Sequence, residues 1–212
     1  MKLFGSSMSP FVRKVLAYAA EKGIALELVP AGMGQGGPEF EAASPFRKMT
    51  GFSDGDFCIS DSTAIIIYLE AKFPEPALIP AEPRARARTI WYDEFADTIL
   101  IACGGKMFFN RLVAPRFLKL PGDAAAADAA EANELPPILD YLERIIPESG
   151  FLVEDRLTLA DLSVASPFVN LDHIGVALDA ARHPRTKAYV DAILARPSFS
   201  GWVAKEKAFL AA

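Results

Sequence analysis

The sequence predicts two modules of different class: an α/β module of order βαβ-α-ββα, then an all-α C-terminal bundle of roughly five helices. Three observations predict it. Apolar spacing switches between strand-like and helical periods over residues 1–73. The stretch "PEPALIPAEP" (74–83) carries four prolines in ten residues, which reads as a semi-rigid linker. Every apolar pattern beyond it has helical spacing.

The elements follow in order. Residues 2–5 form a short strand. In "SPFVRKVLAYAAEKG", Val12, Val15, Leu16 and Ala19 share one helical face. Ser9 suits the N-cap, Pro10 the first helical position and Gly23 the stop. "ALELV" (25–29) alternates as a strand should, giving a β–α–β start. The glycine-rich "AGMGQGGPEF" lacks a phosphate-loop pattern and reads as a flexible surface loop around Gly32, Gly34, Gly36 and Gly37. A short helix near 38–43 precedes strands at 50–53 and 56–59, joined by a tight turn at Asp54-Gly55. A helix over 62–73 places Ile65, Leu69 and Phe73 on one face.

In the second module, helices are expected over about 84–112, 123–146, 158–172, 184–195 and 198–209. "TLAD" is a capping box with Thr158 as N-cap and Asp161 at N3, and Leu157 and Leu162 can form its staple. The alanine-rich "AAAADAAEA" (124–132) is a helix former.

Composition narrows the function. The 212 residues are 51% apolar and 23% charged, ordinary for a soluble globular protein. A net charge of −5 disfavours nucleic acid as a partner, and Arg84, Arg86 and Arg88 read as a solvated helix face. No signal peptide is visible, and no apolar run reaches the ~18 residues of a membrane span, so no membrane partner and a cytoplasmic location are expected. Cys58 and Cys103 lie far apart between apolar neighbours and read as two small buried hydrophobes. No metal set is expected: the only histidines, His173 and His183, lack further ligands at suitable spacing. His173 reads as a helix C-terminal cap, and no nucleophile-elbow, phosphate-loop or zinc-protease motif occurs.

What remains is two helix N-termini in the first module, at Ser9-Pro10 and at Asp61-Ser62. Free N–H groups and the positive end of the helix dipole favour an anion at each. A hydroxyl at the first could bond a thiolate, and the second could hold a carboxylate. Capping without a ligand is the competing reading.

Taken together, "SPFVRKV", "EKGI", "DGDFCISDSTAIIIYLEAKFPEP", "RARA" with a following tryptophan, "LTLADLSVA" and "RPSF" resemble, in order, the cytosolic glutathione transferase superfamily across essentially the whole chain. The resemblance implies a thioredoxin-like glutathione-binding domain over 1–75, a linker over 76–83 and an all-α domain over 84–212. Ser9 matches the serine that stabilises the thiolate in serine-type members, with Ser6 and Ser7 nearby. Phe4 stands where tyrosine-type members carry their tyrosine. Asp61 and Ser62 match the pair that holds the γ-glutamyl end, Met49 the residue whose backbone pairs with the cysteinyl unit, and Arg47 or Lys48 a cation for the glycine carboxylate.

The electrophile site, implied to lie between the domains, draws on Tyr92, Phe95, Ala96, Ile99 and Phe108, residues whose helical spacing also suits plain core. The implied activity is attack of the glutathione thiolate on an apolar electrophile or a mixed disulfide, with glutathione as substrate, no metal, and a homodimer as the assembly. An isomerase or dehalogenase using glutathione as cofactor is a third reading, because "SSMSP" is rich in serine.

One departure stands out. Where the family carries a cis-proline after the backbone-pairing residue, this sequence has Thr50, in "KMTGF". Non-proline residues disfavour cis peptide bonds, so a trans Met49–Thr50 bond with the Met49 main chain turned elsewhere is expected. "SPFRK" is a milder departure from the family's asparagine-proline-x-glycine pattern. The alternative function is therefore a binding or structural protein of the same fold with impaired or lost glutathione binding.

Overall fold

The computed structural model describes residues 1–32 and 36–212, and the chain divides into two compact units. One comprises Met1–Ile79 with Arg196–Ala212, the other Pro80–Ala195. The last helix thus groups with the first unit, whereas the sequence partition assigned all of 84–212 to the second. Of the glycine-rich stretch, Gly34 lies outside the described residues, while Gly37 opens a helix.

The first unit holds strands β1 (Lys2–Gly5), β2 (Glu27–Pro30), β3 (Gly51–Asp54) and β4 (Phe57–Ser60) in the spatial order β2-β1-β3-β4. β1 pairs in parallel with β2 and antiparallel with β3, and β3 pairs antiparallel with β4. β2 begins later than the alternation suggested and ends at Pro30, tolerable because β2 is an edge strand. The hairpin also sits one residue later than expected: Asp54 pairs with Phe57, leaving Gly55 and Asp56 as the loop. Gly55 supplies the left-handed conformation there, at φ 64°. The Asp54 carboxylate then accepts from Tyr68 Oη at 2.7 Å and pairs with Lys72, fastening the hairpin to the next helix.

Helices α1 (Pro10–Glu21), α2 (Gly37–Ala43) and α3 (Ser62–Lys72) follow the predicted phasing. Val12, Val15, Leu16 and Ala19 of α1 are all buried, as are Ile65 and Leu69 of α3. Phe4, Ala31, Phe40 and Ala43 form a cluster under α2. The linker is held by one carboxylate. Glu70 accepts from Tyr18 Oη and Lys22 Nζ, each at 2.5 Å, and from the N–H groups of Leu78 at 3.1 Å and Ile79 at 3.0 Å.

In the second unit the long helix expected over 84–112 runs further and is not uniformly α. It comprises α4 (Pro83–Phe95), π-helical turns at Ala96–Leu100, α5 (Ile101–Phe108) and a second π-helical run, Phe109–Leu118, that contains Pro115. Proline removes an N–H and crowds the preceding turn, so a widened helical register accommodates it where a regular α-helix would break. α6 (Ala124–Ala129) and α7 (Leu135–Ile145) follow, joined by a third π-helical turn at Ala130–Glu134. α8 (Leu159–His173) is buried along almost its whole length, and α9 (Pro184–Leu194) completes this unit. The capping box is formed as predicted: Thr158 N–H donates to Asp161 Oδ2 at 2.9 Å, and Asp161 Oδ1 takes Leu152 N–H at 2.9 Å. α10 (Pro197–Ala211) returns to the first unit and packs on α1.

The cysteines separate. Cys103 is buried, and burial pushes its thiol up to about 11. Cys58 is exposed on β4, correcting the expectation of two buried thiols, because β4 is an edge strand and leaves that residue uncovered. No helix among the described residues is long and apolar enough to cross a membrane.

Candidate active site

The sheet topology decides where the candidate residues meet. Phe4 pairs with Gly51, and Gly51 with Ser60, so the end of β1, the start of β3 and the end of β4 share one edge. From that edge the chain enters α1 after Ser9 and α3 after Asp61. α1 and α3 lie side by side, with Lys14 Nζ 3.5 Å from Thr63 Oγ1. Two helix N-termini therefore open beside the same strand ends, which concentrates partial positive charge there.

Ser9 is the N-cap of α1 in residue type and backbone conformation (φ −78°, ψ 126°), yet its side chain makes no capping hydrogen bond. Its carbonyl accepts from Arg13 N–H at 2.9 Å, and its hydroxyl has no partner among the described residues. Ser6 differs, because its Oγ accepts the Met8 N–H at 3.3 Å. Ser7 is half-buried in the turn between them. Phe4 is 1% exposed within the α2 cluster and offers no hydroxyl.

At the second N-terminus, Asp61 Oδ1 accepts the Ala64 N–H at 3.0 Å while the residue holds φ at 81°. Among the described residues of the first unit, Asp61 and Arg47 (φ 54°) are the two non-glycine positions with positive φ. Such conformations are uncommon outside glycine and concentrate at functional sites. Ser62, the first residue of α3, is 2% exposed.

Between the helices runs the segment 47–50. The Met49–Thr50 peptide bond is cis, so the trans geometry expected for a non-proline residue does not occur. Neither the N–H nor the carbonyl of Met49 has a hydrogen bond among the described residues, leaving one donor and one acceptor on a single residue. An extended ligand that pairs in the manner of a strand needs that combination. Ser44 Oγ donates to the Lys48 carbonyl at 2.7 Å and steadies the loop, a contribution that its sequence gave no reason to expect. Of the two cations proposed for the glycine carboxylate, Arg47 is paired with Glu41 at 2.9 Å and Lys48 is exposed.

The candidates on the helical unit separate by burial. Phe95 is 4% exposed and packs 5.3 Å from the Tyr141 ring, and Phe108 and Ala96 are likewise core. Tyr92 is half-buried, its phenol pushed up by burial and by Tyr141 beside it. Ile99 is exposed. Among the described residues no group of three or more His, Cys, Asp or Glu side chains is arranged to hold a metal ion.

Comparison with known proteins finds relatives along nearly the whole chain. Residues 3–77 match the family model of the glutathione S-transferase N-terminal domain, and residues 116–206 that of its C-terminal domain. Glutathione S-transferase 3 of Zea mays is 32% identical over 96% of this chain and 93% of its own length. The structure of a glutathione S-transferase from Rhodospirillum rubrum superposes with a TM-score of 0.85 at 27% identity, covering 95% of this chain and 90% of that one. A glutathione S-transferase from Methylobacterium radiotolerans, solved in complex with glutathione sulfonate, gives a TM-score of 0.77 at 27% identity over 95% and 93% of the two chains. With both domain models matched in order and a relative above 30% identity along nearly its full length, this chain belongs to the glutathione S-transferase family.

Proposed function

We propose that the protein is a glutathione transferase that binds glutathione at the β1/β3/β4 edge of its first unit and presents the thiolate to an apolar electrophilic carbon or a mixed disulfide. The observation that carries this reading is the Ser9 hydroxyl at the N-terminus of α1, which, like the main chain of Met49, has no partner among the described residues. A free thiol with a pKa near ~8.5 is mostly protonated at neutral pH and a poor nucleophile. A hydroxyl that donates to the sulfur, at the positive end of a helix dipole, favours the ionised form. The thiol proton leaves to solvent, Ser9 keeps its own, and the thiolate attacks the carbon or the disulfide sulfur, whose leaving group or second thiolate departs with the electron pair of the broken bond.

The other roles follow from chemistry. The Asp61 carboxylate takes the glutamyl amino group, and Ser62 with its N–H takes the glutamyl carboxylate. Met49 pairs through its main chain with the cysteinyl unit, and Arg47 or Lys48 balances the glycine carboxylate. On the helical unit the partly accessible Tyr92 and Ile99 suit contact with an apolar electrophile better than Phe95 and Phe108, which serve the core. A homodimer and a cytoplasmic location complete the proposal.

The test is Ser9→Ala, read by ultraviolet titration of the thiolate of bound glutathione. Loss of one charge-assisted hydrogen bond, worth about 1.5–3 kcal/mol, raises the thiol pKa by about one to two units. A titration curve that does not move removes Ser9 from the mechanism.

A further inference from the structure

Thr50 is 2% exposed, and its Oγ1 has no hydrogen-bond partner among the described residues. A buried hydroxyl left unsatisfied is costly, and native folds seldom keep one without a reason. Its position supplies the reason. The Thr50 carbonyl accepts the Asp61 N–H at 3.3 Å, one step beyond the Gly51–Ser60 pair at which the β3–β4 ladder ends. Side chains alternate along a strand. Gly51 faces Phe40 and Ala43 beneath α2, whereas the Phe52 ring lies 5.6 Å from Tyr68 of α3. Thr50 shares the parity of Phe52, which puts it on the face that carries α1 and α3, at the edge where both helices begin.

We propose that the Thr50 hydroxyl is a second hydrogen-bond donor to the sulfur of bound glutathione, acting beside Ser9 as a thiolate-binding residue. This rests on the glutathione reading above and adds to it a donor at a position where proline could supply none. Threonine interchanges its hydroxyl and methyl by one χ1 rotation, so the group turns toward the ligand without backbone movement. The hydroxyl keeps its proton, and no bond is made or broken at Thr50.

The experiment uses the full chain as wild type, Thr50→Val, Thr50→Ala and Thr50→Ser. Each is titrated calorimetrically with glutathione and with S-methylglutathione, and the thiol of bound glutathione is titrated by its thiolate absorbance. Valine keeps the shape and removes the donor. The expected result is a tenfold loss of thiol acidity on the order of one charge-assisted hydrogen bond, with S-methylglutathione affinity within about twofold of wild type. Serine restores the acidity, and alanine repeats the loss if valine does not fold. An unchanged thiol titration in both Val and Ala variants overturns the proposal and leaves Thr50 a structural orphan whose removal only raises the melting temperature. Wild-type protein that binds neither ligand overturns the glutathione reading and this inference together, whereas wild-type binding with unshifted variants overturns this inference alone.

Discussion

The ion pair that fastens the last helix to α1 gives the sharpest prediction about the first unit. Arg13 is fully buried and Glu206 is 2% exposed. Arg13 Nε donates to Glu206 Oε1 at 3.2 Å and Nη2 to Oε2 at 2.8 Å, a fork-to-fork arrangement. Burial lowers the Arg13 pKa against the opposing pull of Glu206, which is the mark of a desolvated guanidinium. At an effective dielectric of 20 and about 4 Å between charges, the attraction is about 4 kcal/mol, of the same order as the cost of desolvating each ion. The net worth of the intact pair is therefore small, but the cost of breaking it is not.

Glu206→Gln leaves a buried cation facing a neutral amide, and should cost about 3–5 kcal/mol. For a chain of this size that is a fall in melting temperature of roughly 6–20 °C. Replacing both partners, as Arg13→Met with Glu206→Leu, should return stability to within about 1 kcal/mol of wild type. Trp202 on α10 is the natural reporter once exposed Trp91 is changed to phenylalanine, because the chain has only two tryptophans. Urea unfolding followed at Trp202 of wild type, Arg13→Met, Glu206→Leu and the double variant gives the four corners of the cycle. Additive single effects in the double variant, or a Glu206→Gln cost below about 1 kcal/mol, would refute the reasoning.

Two further predictions concern one buried and one half-buried carboxylate. Burial raises Asp161 to about 6 despite hydrogen bonds from Leu152, Thr158 and Tyr189, so the folded state holds a proton that the unfolded chain releases near pH 4. Stability from this group is complete below about pH 4 and is lost as pH rises through 6. Unfolding free energy of wild type minus that of Asp161→Asn should fall by up to about 3 kcal/mol across that window, and a flat difference would contradict it. Glu70→Ala strips partners from the buried Lys22 ammonium, the Tyr18 hydroxyl and two linker N–H groups. It should cost about 3–5 kcal/mol, with faster hydrogen exchange at Leu78 and Ile79; unchanged protection there would show that the linker is held by other means.

Most of the fold was legible because its signals are local. Ser9-Pro10 and Gly23 bracket α1, "TLAD" announces α8, and Gly55 marks the hairpin, each through one or two residues. What escaped depends on long-range packing. Alternation could not show that Cys58 lies on an edge strand, because strand order is not written in any one strand. Nor could helical periodicity show the π-helical run around Pro115, where the bundle sustains a helix that propensity alone would end. The membership of α10 escaped for the same reason, since Arg13 and Glu206 are far apart in sequence and meet only through the fold.

The candidate site was legible as residue types but not as a set of open valences. Ser9, Asp61 and Ser62 could be named from capping chemistry, yet only the structure distinguishes the unengaged Ser9 hydroxyl from the engaged Ser6. The same holds for the main chain of Met49 and the Thr50 hydroxyl, neither of which has a partner among the described residues. Magnitudes then rank what these groups can do. A helix N-terminus contributes about 0.3–1 kcal/mol to a nearby anion, under one pKa unit, whereas a hydroxyl donated to a charged sulfur contributes about 1.5–3 kcal/mol. Two dipoles alone lower a thiol of pKa ~8.5 by at most about 1.5 units, which leaves it about half or more protonated at pH 7. On the proposed reading, the hydroxyls at this strand edge therefore supply a larger share than the helix ends of the acidity on which nucleophilic attack depends.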